Sequence, residues 1–254
     1  MKCLFKPLVD CLRLSVYALA LCPFGFVSAP HSLQAPHLLG KKSKTESAVK
    51  VHIRSKLHYF QLIKDRLSEN RRRLFPSTCF GPWLDLNYFE NDESLIHYML
   101  QNQIKSDDAH YDLPLIYDVN GHHLHFGRRQ FHLITGFKFG MPSFRKFRTG
   151  DIIFRDHVFP EKVGVNLKAI DLLCLIEEDE YFIKLSDEDA VRVCLLLSAQ
   201  VIFMGREMLS VVDDVYLRMV ENVENWNDFH WGEHIWLSLG GTHLTFTMFS
   251  KEGW

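Results

Sequence analysis

Apolar residues recur at three- and four-residue spacing over most of this chain, the period of a helix with one buried face. The first such run spans 53–74, where Ile53, Phe60, Ile63, Leu67 and Leu74 form a stripe and Arg54, Lys56, Lys64 and Arg66 fall mostly off it. Arg71-Arg72-Arg73 sits at its C-terminal end, where cations suit the helix dipole, and Pro76 stops it. A second helix is expected from about Asp92 to Ile104, capped by Asn91 or Asp92, with Leu95, Ile96, Met99 and Leu100 buried. The period then changes to two. Leu115, Tyr117 and Val119 alternate, Asn120-Gly121 supplies a turn, and His123 and His125 alternate with Leu124 and Phe126, predicting a β-hairpin over 113–126. A short helix over Arg128 to Thr135 turns Phe131 and Ile134 inward and ends at Gly136.

The C-terminal third reads as helical again. One helix covers about Leu167 to Ile176. Ser186-Asp187-Glu188-Asp189 has the pattern of a capping box opening the next. From Ala190 to Met204 that helix is apolar nearly all round, so it is expected to be central and buried. Val212, Val215, Met219, Val223 and Trp226 step along a further helix, and Trp231 opens the last one, which Gly240-Gly241 is expected to end. The class is therefore α+β, predominantly helical, with a small β-hairpin near 113–126.

The remaining segments fit less well. Residues 1–48 read as a leader and linker, and 53–236 as the folded body. Lys2 and Lys6, the apolar run Leu14 to Leu21 and Val27-Ser28-Ala29 resemble a secretory signal, but Asp10, Arg13 and Cys22-Pro23 interrupt it. The expectation is an unstructured or artefactual leader, with secretion as the alternative. The apolar run is too short to span a bilayer. Residues 237–254 alternate weakly and read as a divergent tail, expected to be dispensable in a chain cut just past Trp236.

Composition refines this picture. Apolar content is 47%, enough for a substantial core. The net charge of −2 hides an uneven distribution. Residues 41–73 carry eleven Lys/Arg against Glu46, Asp65 and Glu69, a balance of +8, which leaves 74–254 at −12. So acidic a body repels a phosphate backbone, and any nucleic-acid contact is expected through 41–73. Between 137 and 163, Phe137, Phe139, Phe144, Phe147, Phe154 and Phe159 interleave with Lys138, Arg145, Lys146, Arg148 and Arg155. That pattern either stacks single strands or, as favoured here, pins an irregular loop onto the core.

Candidate chemistry is sparse. Cys3, Cys11, Cys22, Cys79, Cys174 and Cys194 form no CxxC pair, and Cys174 and Cys194 fall in apolar helical runs as buried thiols of a reducing compartment. Cys79 is the one body cysteine outside a helix, with His97 and His132 as conceivable partners of a thiol nucleophile. His123 and His125 share a strand face while His122 points away, so zinc binding would need His132 or Asp118 as a further ligand. Glu177-Glu178-Asp179-Glu180 reads as a solvated loop or a lure for a basic partner. No catalytic, cofactor or metal site is assigned.

Thr78-Cys79-Phe80-Gly81, the stretch Phe126-Gly127 through Phe131 to Ile134-Thr135-Gly136, Ser186-Asp187-Glu188-Asp189-Ala190, and Trp231-Gly232 with Trp236 occur in an order that resembles a plant-specific domain of unknown function. The resemblance covers roughly 53–236. That domain is found in transposon-derived proteins, often upstream of a SUMO-protease-like cysteine peptidase domain, and some relatives carry a phospholipase-like label. The chain has no G-x-S-x-G elbow and no H-E-x-x-H. The hairpin-then-helix pattern is similar, more weakly, to the plant mobile domain. The resemblance implies a non-catalytic accessory or interaction domain, nuclear or cytoplasmic, with an unknown protein partner. The alternative is a remnant or fragment of a SUMO-protease-like cysteine peptidase protein lacking its catalytic domain.

Overall fold

The computed structural model describes residues 56–85, 98–99, 101–104 and 113–243. The expected helix over 53–74 is two helices, α1 (Tyr59–Arg66) and α2 (Glu69–Leu74). Leu67 between them is extended, and the Ser68 hydroxyl accepts from the Arg71 N–H as an N-cap. The break has a packing reason. It sends Leu67 and Phe75 into the core and leaves Leu74 at the surface, where an unbroken stripe would have buried Leu74. Two 3₁₀ turns follow, Phe75–Ser77 and Gly81–Asp85. A Cβ on Gly81 would stand 2.4 Å from the Pro76 carbonyl oxygen, so only glycine permits this crossing.

Tyr98 and Met99 are helical and Met99 is buried. Asn91, Asp92, Leu95, Ile96 and Leu100 lie outside the described residues. The helix expected through Ile104 gives way to strand β1 (Gln103–Ile104), which pairs antiparallel with β2 (Leu115–Val119). The hairpin partner is β3 (His122–Phe126), so the sheet has order β1-β2-β3. Asn120 (φ 54°) and Gly121 (φ 81°) are both left-handed, the geometry that two-residue hairpin turns require. Tyr117 and Phe126 point into the core. Helix α3 (Arg128–Thr135) opens with the Gly127 N–H donating to the Gln130 side chain and closes on left-handed Gly136. Its Phe131 is buried and Ile134 packs partly against the core.

The loop 137–152 and helix α4 (Ile153–Val158) lie on the body through their aromatic residues. Phe137, Phe147, Phe154 and Phe159 are buried, and Phe139 and Phe144 pack against the core. The stacking-surface reading is thereby excluded for these rings. Helix α5 (Ala169–Glu177) is clipped to the 208–212 loop by backbone hydrogen bonds, among them Ala169 N–H to Ser210 O and Val212 N–H to Leu167 O. The acidic run is no free loop. Glu177 ends α5, and Asp179 and Glu180 form the first turn of α6 (Asp179–Lys184), where carboxylates suit the dipole.

Helix α7 (Asp187–Leu197) is the central element, flanked by α2, α5 and α8 (Asp214–Val220). Ser186 caps it, accepting from the Asp189 N–H at 3.1 Å. The apolar run continues as a π-helical stretch, Ser198–Phe203, wholly buried. The single helix expected over 212–226 is α8 and α9 (Val223–Asp228), divided where Asn222 caps α9. Phe80 is the hub of an aromatic cluster with Phe137, Phe203, Trp226 and Trp231, all within 4.6–5.8 Å between ring centroids. The last helix, α10, runs from Trp231 to His243 and so passes through Gly240-Gly241, where an end was expected. No helix among the described residues is long and apolar enough to cross a membrane. The architecture is α+β and predominantly helical.

Candidate functional site

The basic run beginning at α1 is largely spent on the fold. Arg71, only 4% exposed, donates from Nε to Asp187 Oδ1 at 2.9 Å. Its Nη atoms donate to the carbonyls of Phe182 (3.0 Å), Ile183 (3.3 Å) and Leu185 (2.7 Å), and its guanidinium lies over the Phe182 ring. One planar fork thus closes the C-terminal end of α6 and ties it to the start of α7. Arg66 pairs with Asp179, Arg73 with Glu69, and Lys64 with Asp85, while Arg72 donates to Lys64 O. Of the three arginines expected at the helix C-terminal end, Arg72 and Arg73 are exposed and Arg71 is buried. Position 71 continues the stripe 60, 63, 67 and 74, the one sign in the sequence that it faces inward. Residues 41–55 lie outside the described residues.

Cys79 is half-buried behind the aromatic cluster, its backbone N–H held by the Asn227 side chain at 2.8 Å. Burial pushes its thiol up to about 12, which removes the thiolate that nucleophilic attack needs. His97 lies outside the described residues, and His132 hydrogen-bonds Phe137 O. Cys194 is buried and its thiol is pushed up by desolvation. Cys174 departs from expectation and is exposed. The apolar face of α5 is carried by Leu172, Leu173 and Ile176, and Cys174 falls opposite. Cys79, Cys174 and Cys194 are unpaired.

His122, His123 and His125 are exposed on β3, the edge of the sheet. Asp118 stands directly across from His123, but its Oδ1 accepts the Gly121 N–H at 2.8 Å and so is engaged in closing the turn. His132 is on α3. Among the described residues no group of three or more His, Cys, Asp or Glu could hold a metal ion.

Two polar clusters gave no sign in the sequence. The first is an open cleft of about 300 Å³ lined by Ile153, Phe154, His157, Asp189, Arg192 and Glu221. Asp189 is buried there, accepting from the Ser186 hydroxyl (2.7 Å) and from Arg192 (2.7 Å), with His157 Nε2 at 3.4 Å. Asp189 stands between serine and histidine, so no serine–histidine relay forms. Glu221 accepts the Phe154 N–H, and Arg192 donates to Glu221 O. These bonds fasten α4 and α8 to the N-terminus of α7.

The second cluster is Tyr216 and His234, joined by a 2.7 Å hydrogen bond between Oη and Nε2. Phe144, Phe229 and Trp231 surround the imidazole. Desolvation, helped by Arg206, lowers the His234 pKa to about 4, and burial raises that of Tyr216 to about 12. The pair is neutral at physiological pH.

The outer surface holds the charge that the fold does not use. From 119 to 150 there is no Asp or Glu, while Arg128, Arg129, Lys138, Arg145, Lys146 and Arg148 all fall in that span. Arg128 pairs with buried Glu233, and Lys138 with Asp228 at 2.8 Å. Arg145, Lys146 and Arg148 are exposed on and beside the 3₁₀ turn Arg145–Phe147.

A mostly helical α+β body around a buried α7, with a small edge hairpin, defines the class of protein. The profile of the family described as domain of unknown function DUF1985 matches residues 100–247, and the chain belongs to that family. The matched span covers the hairpin, α7 and every ring of the aromatic cluster but Phe80. No curated protein and no solved structure matches the chain.

Proposed function

We propose that this domain is a non-catalytic interaction module, an accessory domain of a transposon-derived plant protein acting in the nucleus or cytoplasm. The observation that supports the reading most is the state of Cys79. The best-placed thiol is desolvated, lacks an imidazole partner among the described residues, and is backed by packed aromatic rings. A remnant cysteine peptidase would need that thiol ionised and open to substrate. The Asp189 cleft supports the same reading, since its groups hydrogen-bond to one another across three elements. Three unpaired cysteines accord with a reducing compartment.

The test treats the full chain with an electrophilic ubiquitin-like-modifier probe and, separately, with a small alkylating thiol reagent. The expected result is no probe adduct and fast alkylation of Cys174 alone among Cys79, Cys174 and Cys194. A probe adduct on Cys79 that disappears in Cys79→Ser would overturn the proposal, as would turnover of a fluorogenic modifier conjugate abolished by that substitution.

A further inference from the structure

Resting on the interaction reading just given, the geometry points to a docking surface for an acidic, apolar-anchored peptide segment of a partner protein, built on the turn 141–148. Three observations carry it. The first is charge that has no internal use. Arg145, Lys146 and Arg148 lie within four positions, in a stretch of the chain free of carboxylates, and are exposed with no ion pair among the described residues. Lys64, Arg66, Arg71, Arg73, Arg155, Lys162, Arg192 and Arg218 by contrast each meet a carboxylate. Like charges crowded on one turn are mildly unfavourable for the fold and present a positive surface to an acidic partner.

The second observation is rigidity. Phe144 packs between Tyr216, Phe229 and His234, and Phe147 is buried three residues on. Arg218 reaches across to the same turn, donating to the carbonyls of Phe147 (3.0 Å) and Gly150 (2.8 Å). The turn is held at Phe144, Phe147 and Gly150, and the cations between them are exposed. A surface ordered in advance loses little entropy on binding.

The third is an apolar anchor beside the charge. Met141 is 89% exposed, and its carbonyl is hydrogen-bonded to His230 Nδ1 at 3.1 Å. Met141 opens the same turn that carries Arg145, Lys146 and Arg148, four residues before the first of these cations. An unbranched thioether is suited to adaptable apolar contact. Single-stranded nucleic acid fits less well. The phenylalanines that could stack bases are turned inward. The acidic run of a second copy is also a poorer occupant, since Asp179 is already paired with Arg66.

The experiment uses the full chain and a fluorescent peptide of about twelve residues that alternates Glu or Asp with Leu and Phe, a length in the range of segments that dock extended on a surface. Binding is followed by anisotropy. The expected result is saturable binding that weakens about tenfold between low and moderately high salt, as screening acts on exposed charges. The triple variant R145A/K146A/R148A should lose at least tenfold in affinity, and Met141→Ser about threefold, with the circular dichroism spectrum of each unchanged. Equal binding by the triple variant would overturn the proposal. So would tighter binding of a single-stranded oligonucleotide of the same charge, or salt-sensitive self-association that the triple variant abolishes. Failure of peptide binding while the thiol probe leaves Cys79 unmodified would sink this surface and leave the non-catalytic reading standing. Peptide binding that the triple variant loses, together with a Cys79 adduct, would keep the surface and sink the non-catalytic reading.

Discussion

Two arginine-rich stretches of this chain look alike in sequence and end in opposite places. Arg71-Arg72-Arg73 sends its first member into the body, where five of its contacts are to α6, α7 and the Phe182 ring. Arg145-Lys146-Phe147-Arg148 sends only the phenylalanine inward and keeps all three cations at the surface. The difference lies in the partners each stretch meets, not in the charges. Around Arg71 a helix C-terminus presents three carbonyls and α7 presents Asp187, so the cost of burying a guanidinium is offset bond by bond. Around 145–148 the interior offers aromatic rings, which accept Phe144 and Phe147 and leave the cations outside. A run of basic residues is thus a statement about supply. The fold decides where demand exists.

The contrast can be broken most directly at Arg71. Arg71→Met should destabilise the chain by about 2–3 kcal/mol, because the buried Phe182 carbonyl and the part-buried Asp187, Ile183 and Leu185 acceptors lose their donor. Arg71→Lys should recover little, since one ammonium cannot reproduce the fork. Urea unfolding checks both, and a loss under 1 kcal/mol would mean that α6 is held by something else.

His234 tests the interior in a second way, as a group that the interior keeps uncharged. Its folded pKa of about 4 lies below the ordinary 6.5, so the unfolded chain takes up the proton first as pH falls. Stability is therefore highest above pH 6.5 and declines through the window down to about 4, by about 3 kcal/mol at 1.36 kcal/mol per pKa unit. Unfolding curves across that range should show the decline, and His234→Gln should flatten it. A slope unchanged in the variant would assign the effect to other groups.

The smallest effect is expected on the outer stretch. R145A/K146A/R148A should shift unfolding free energy by no more than about 0.5 kcal/mol, as exposed residues without partners usually do. A larger loss would show that these cations serve the fold after all, and the comparison with Arg71 would collapse.

Much of the architecture was legible in the sequence where one strong local signal stood alone. Asn120-Gly121 demanded a hairpin, Ser186 through Asp189 demanded a helix start, and the run from Ala190 to Met204 could only be interior. Errors arose where local signals competed with distant packing. Ser68 outcompeted helix continuation because a break buries both Leu67 and Phe75. Gln103 and Ile104 became strand because β2 offered a partner that helical periodicity does not reveal. Gly240-Gly241 stayed helical despite the propensity of glycine. Cys174 was assigned to the interior from an apolar neighbourhood, although a helix so rich in apolar residues leaves its exposed side ambiguous. The clusters at Asp189 and at Tyr216–His234 join residues far apart in sequence, and no spacing rule links 157 to 189 or 216 to 234.

The close contact at Gly232 has a consequence for how such a domain can diversify. A Cβ there would stand 2.6 Å from the Phe139 ring and 2.8 Å from the Lys138 carbonyl, and the Gly232 N–H donates to that carbonyl at 2.9 Å. The entrance to the 141–148 turn is thereby fixed against α10, and Phe144, Phe147 and Arg218 fix the remainder. Substitutions at Met141, Arg145, Lys146 or Arg148 alter only what projects outward. Under the docking proposal, affinity and foldability are separable traits in this segment. The message can be rewritten while the page is kept, because the side chains that project outward are not those that hold the backbone path.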